Sequence, residues 1–79
     1  MKEEKSGKLG TIIYYDENRF FTIGSFESED EMFYALGTLP HPKKGCRYRL
    51  IGEWRQHPRY GEQFSFSSFE ELPPTSSEG

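Results

Sequence analysis

The feature that most constrains this chain is a two-residue alternation in its second half. Tyr48, Leu50, Gly52 and Trp54 fall on one side of an extended backbone, and Arg47, Arg49, Ile51 and Glu53 fall on the other. Phe64 and Phe66 repeat the pattern against Ser65 and Ser67. Successive side chains of a strand point to opposite faces, so this spacing belongs to half-buried β-strands. No stretch has a convincing 3.6-residue period. The segment from Glu29 to Leu36 is the one place where a short helix would fit.

Five strand candidates follow from alternation, β-forming residues and turn chemistry. They run from Lys8 to Tyr15, Phe20 to Glu27, Met32 to Thr38, Cys46 to Trp54 and Glu62 to Glu70. Asp16 to Arg19 and Ser28 to Glu31 read as polar turns. Leu39 to Gly45 must be a loop, because Pro40 and Pro42 each remove a backbone donor. Arg55 to Gly61 reads as the last loop. Five short strands without a covering helix leave edges exposed, and closure into a small barrel removes them. Gly10, Gly24, Gly37 and Gly52 interrupt the strands, as bulges and sharp coiling require.

With 79 residues there is room for one domain, and a chain this short needs a dense core. Seven Phe, five Tyr and one Trp can supply it. The expected organisation is a flexible tail over 1–7, a barrel over 8–72 and a linker over 73–79, the last rich in Pro and Ser. A single cysteine, Cys46, cannot form an internal disulfide, which suits a reducing cytoplasm. No apolar run has the length of a membrane span, and Met1 to Lys8 lacks the apolar centre of a signal peptide.

Charge is unevenly placed. The net charge is -3, yet residues 41–60 carry Lys43, Lys44, Arg47, Arg49, Arg55 and Arg59 against Glu53 alone. The loop Arg55-Gln56-His57-Pro58-Arg59-Tyr60-Gly61 mixes cations with an aromatic ring. Guanidinium groups there can hold phosphates and Tyr60 can stack on a base. Equally, Tyr60 can fold onto the barrel end and the charges can be a solvated face; the sequence admits both. Lys43 and Lys44 would extend a cationic rim, and Arg19 would join it if the barrel gathers those ends. In the adjacent pairs Tyr14-Tyr15 and Phe20-Phe21, one ring must face outward, as a stacking surface or as an interface with another domain. Trp54 reads as core rather than ligand platform.

No catalytic constellation is present. The chain has no G-x-x-x-x-G-K-[ST] and no G-x-S-x-G. Cys46 lacks a positioned base, because His41 lies across a Pro-Lys-Lys-Gly loop. His41, Cys46 and His57 lack the paired spacing of a zinc site.

Several segments together resemble a known family. They are Gly10-Thr11-Ile12-Ile13-Tyr14-Tyr15-Asp16-Glu17-Asn18, Phe21-Thr22-Ile23, Gly37-Thr38-Leu39-Pro40 and the string G-E-W-x-x-H-P-x-Y-G-x-Q-F from Gly52 to Phe64. The chain resembles the N-terminal OB-like domain of RecD/TraA-family ATP-dependent DNA helicases, the YrrC-like branch, from about Lys8 to Pro73. The resemblance implies an OB-type barrel and a parent enzyme that moves 5′ to 3′ on single-stranded DNA. ATP and magnesium would be used in later domains, with no cofactor and no catalytic residue in this one. Implied contexts are DNA repair and recombination. In place of the family's frequent Asn-Gly, this chain has Asn18-Arg19-Phe20, so a first hairpin tip that is wider or differently shaped is expected.

The expected function is a non-catalytic accessory domain that helps a helicase engage single-stranded DNA. The residues expected to do so are Arg55, His57, Arg59 and Tyr60, with Lys43, Lys44 and Arg19 peripheral. The alternative is a docking module for the remaining helicase domains or for a single-strand-binding protein.

Overall fold

The computed structural model describes residues 2–29, 31–59 and 61–73. The chain is all-β. Its strands are β1 (Glu3–Asp16), β2 (Phe21–Ser28), β3 (Glu31–Thr38), β4 (Arg47–His57) and β5 (Gly61–Leu72). They close into one barrel in the order β1-β2-β3-β5-β4. All neighbours are antiparallel except β3 and β5, which run parallel from Tyr34 beside Gln63 to Gly37 beside Phe66. Glu29 to Leu36 contains no helix, since β3 begins at Glu31 and pairs with β2 along its length. Among the described residues no helix is long and apolar enough to cross a membrane.

The expectation of a flexible tail over 1–7 is corrected at its first strand. Residues from Glu3 to Lys8 pair with β4, Glu3 opposite Gly52 and Lys8 opposite Arg47. Backbone groups make this ladder, so charged side chains do not prevent it. Lys5 turns inward at one end of the barrel. Its Nζ lies 5.3 Å from the Phe33 ring centre and 6.0 Å from that of Trp54, and it meets the Glu31 carboxylate at 3.1 Å. An amphipathic lysine stem thus covers aromatic surface while its charge reaches a partner. The linker expected over 73–79 lies outside the described residues beyond Pro73.

Core residues come from every strand. Leu9, Phe26, Phe33, Ala35, Tyr48, Leu50, Phe64 and Phe66 are buried, with Trp54 packed against them as the sequence implies. Phe26 stacks on Phe33 at 5.7 Å, and Trp54 meets Phe64 edge-on at 5.1 Å. Among the described residues Leu39 is the one buried core residue outside a strand, and it is fully buried. Its N–H donates to the Phe20 carbonyl at 2.7 Å, and its own carbonyl accepts the Thr22 hydroxyl at 3.0 Å. This single leucine plugs the barrel where the β1–β2 hairpin turns.

Two bulges shape β1. Register shifts fall between Leu9 and Thr11, and between Ile12 and Tyr14, so Gly10 and Ile13 are the extra residues. A third shift between Ile51 and Gly52 leaves Ser67 unpaired on β5. Gly52 sits where the strands cross most closely. A Cβ there would lie 2.0 Å from the Ser65 carbonyl oxygen, so only glycine fits.

Of the two expectations for the first hairpin, wider or differently shaped, the structure has the wider tip. Residues 17–20 form its tip between paired Asp16 and Phe21. The Asp16 carbonyl accepts the Arg19 N–H at 3.2 Å, and its carboxylate accepts the Asn18 N–H at 3.0 Å. The left-handed conformation falls on Phe20, at φ 55°. For a bulky residue that costs about 1–2 kcal/mol, and the Leu39 hydrogen bond helps to hold it.

Candidate nucleic-acid interface

Strand pairing decides which outward side chains become neighbours. Tyr14 stands opposite Ile23, and Ile23 opposite Leu36. Two residues further along, Ser25 stands opposite Tyr34, Tyr34 beside Gln63, and Gln63 opposite Arg55. The bulge at Ile13 breaks the alternation of β1, so Ile13 and Tyr14 are both about half exposed, at 55% and 51%. Bulges often re-aim side chains in this way. Tyr15 goes to the barrel end, where its hydroxyl accepts the His41 N–H at 3.2 Å. In the first tyrosine pair, Tyr14 is therefore the outward ring.

These residues line a groove of about 630 Å³, formed by Ile13, Tyr14, Ile23, Tyr34, Gln63 and Arg59. A second depression of about 530 Å³ adjoins it through Tyr14 and adds Asp16, Arg19, Phe21 and Thr38. Tyr14 and Phe21 are in ring contact at 6.4 Å. One face thus carries two tyrosines, a phenylalanine and two isoleucines, with Arg59 entering from the β4–β5 turn and Arg19 from the β1–β2 turn. Arg19 and Arg59 form no ion pair with the described residues. By contrast, Arg49 is held between Glu4 and Glu70 and is neutralised.

The structure divides the sequence candidates. Arg59 and Arg19 line the aromatic face. His57 does not line it but shapes the turn: its Nδ1 accepts the Arg59 N–H at 3.0 Å. Arg55 belongs to β4 rather than to a loop. It lies beyond Gln63, in a shallow depression of about 120 Å³ with Lys2, Glu53, Ser65 and Ser67. The expected loop from Arg55 to Gly61 thus shortens to the residues between His57 and Gly61, because the β4–β5 ladder continues to that pair. Lys43 and Lys44 are exposed on the β3–β4 loop and line neither aromatic depression. The Lys43 N–H donates to the Tyr48 hydroxyl at 3.1 Å, tying that loop to the core. Tyr60 lies outside the described residues.

Ile13, Ile23, Tyr34 and Gln63 were not evident as site residues. The available signal was β3 itself, where Tyr34 and Leu36 are apolar opposite an already apolar Phe33 and Ala35. A strand hydrophobic on both faces buries one and offers the other. Among the described residues no group of three or more His, Cys, Asp or Glu could hold a metal ion. Cys46 is half-buried and packs against the core, and the His41 ring rests on Phe20 at 5.8 Å.

A family model described as the OB-fold domain of the ATP-dependent DNA helicase YrrC matches residues 2–74. A search of curated proteins finds no match.

Proposed function

This chain belongs to the OB-fold domain family of YrrC ATP-dependent DNA helicases, and from that premise we propose that it is a non-catalytic accessory domain holding single-stranded DNA for a RecD-like 5′ to 3′ helicase. The observation that carries the reading is the exposed aromatic face flanked by two arginines that form no ion pair with the described residues. Barrels of this topology bind oligonucleotides across the face of β2 and β3 and the adjoining turns. The groove lies on that face. Stacking on Tyr14 and Tyr34 accepts any base, because every base has a π-face. Arg59 and Arg19 hold phosphates on either side. Glu3, Glu4, Glu70 and Glu71 lie on β1 and β5 and line neither depression, while Asp16 lines the second one beside Arg19.

In the parent protein, ATP and magnesium act in other domains, and the remaining helicase domains are the natural partners. A second reading, docking on those domains or on a single-strand-binding protein, is favoured by Phe69, 38% exposed on β5 away from the groove. Cytoplasmic DNA repair or recombination is the setting both readings share.

The test is titration of the chain into a fluorescein-labelled twelve-nucleotide single strand at low salt. Measurable binding that Tyr34→Ala weakens by roughly 5- to 160-fold is expected, since one stacked base contributes about 1–3 kcal/mol. Absence of binding at low salt would sink the DNA reading and leave docking.

A further inference from the structure

Gln63 occupies an unusual position for an amide. It lies on β5 between Tyr34 on β3 and Arg55 on β4. It is only 9% exposed, and it forms part of the groove wall. Among the described residues its side-chain amide has no hydrogen-bond partner. Nor is either of its polar atoms sealed from solvent: among the described residues, the one sealed side-chain atom without a hydrogen bond is Arg49 Nε, which faces Glu4 at 3.4 Å. A β-branched or aromatic residue would pack better at this strand position. What the amide has is one acceptor, Oε1, and one donor, Nε2, side by side and open to the groove.

We propose that Gln63 reads a base edge in the groove and gives the domain a preference for adenine. The proposal rests on the reading of the groove as a single-strand site. A base stacked on Tyr34 presents an edge toward the neighbouring strand, where Gln63 stands. On the edge that carries N7, adenine alone offers a donor and an acceptor together, N6–H and N7. Guanine offers two acceptors there, cytosine a donor only, and thymine an acceptor beside a methyl group. Adenine N6–H donates to Oε1 while Nε2–H donates to adenine N7. That edge is accessible in a single strand, as it is in the major groove of a duplex. The two tyrosines supply affinity without discrimination, and the amide supplies discrimination.

The experiment compares labelled (dCdA)6 with (dCdT)6, neither of which is self-complementary, by fluorescence anisotropy. The chain is expected to bind the adenine oligonucleotide roughly tenfold more tightly, the scale of one bidentate base contact. Gln63→Leu should bring the two within about twofold by weakening the adenine oligonucleotide alone. A second arm leaves the protein untouched: 7-deazaadenine in the same oligonucleotide removes the N7 acceptor and should also erase most of the preference. Equal affinity of the unaltered chain for both oligonucleotides overturns the proposal and leaves the single-strand reading standing. So does an adenine preference that survives both Gln63→Leu and the deaza substitution. Binding to neither oligonucleotide overturns both.

Discussion

Arg59→Gln offers the sharpest test of the interface, because salt dependence counts phosphate contacts. Two cations, Arg59 and Arg19, line the aromatic face, and neither is paired with a described carboxylate. Each phosphate neutralised on a single strand contributes a slope of about −0.7 to log K against log salt. Two contacts give about −1.4, or about a sevenfold loss of affinity between 50 and 200 mM salt. Arg59→Gln should halve the slope to about −0.7, leaving about a 2.6-fold loss over the same range. The substituted residue keeps the backbone N–H that His57 accepts, so the turn should survive. Lys43→Gln combined with Lys44→Gln should leave the slope alone, because neither lysine lines the face. The assay is anisotropy of a labelled oligonucleotide at five or six salt concentrations. A slope unchanged by Arg59→Gln, or flattened as much by the lysine pair, would refute the assignment of the face.

Three further outcomes concern the scaffold. Gly52→Ala should cost about 3 kcal/mol or more, because the new methyl meets the Ser65 backbone rather than a movable side chain. In a domain this small that lowers Tm by about 12–24 °C, followed by circular dichroism. Leu39→Ala should cost about 2–5 kcal/mol in denaturant unfolding monitored through Trp54, since it empties a fully buried plug. Tyr48 is held above the ordinary tyrosine value of 10.0, chiefly by burial, with the Glu71 charge adding to it. Its neutral form is thus favoured in the folded state. That contribution is complete below pH 10 and is lost as pH rises through the elevated folded value. Unfolding midpoints should fall above pH 10, and Tyr48→Phe should flatten that fall.

The barrel was legible because its inner face is written in residues two apart. Tyr48, Leu50 and Phe64, Phe66 announce strands in any context, and the prolines at 40 and 42 mark the one long loop. The first turn of β1 was not legible. Glu3, Glu4 and Lys5 look like a solvated tail, and their strand character comes from a ladder with β4 that no local pattern encodes. Within the interface, Arg59 stood out by charge, and Tyr14 by adjacency to Tyr15. Tyr34 and Gln63 did not, because they become neighbours only through the parallel pairing of β3 with β5. Arg55 looked equivalent to Arg59, four residues apart in the same basic run. The β4–β5 ladder extends through His57, which puts Arg55 on a strand and Arg59 in a turn.

The pairing of Glu3 with Gly52 and of Lys8 with Arg47 also bears on how the molecule assembles. The β1–β2 and β2–β3 hairpins can form from neighbouring residues, but the barrel stays an open, curled sheet until β4 arrives. Closing so distant a seam must overcome chain entropy before any contact rewards it, which makes such topologies slow to fold. Until then the early segment of β1 is an unsatisfied edge able to recruit a second chain.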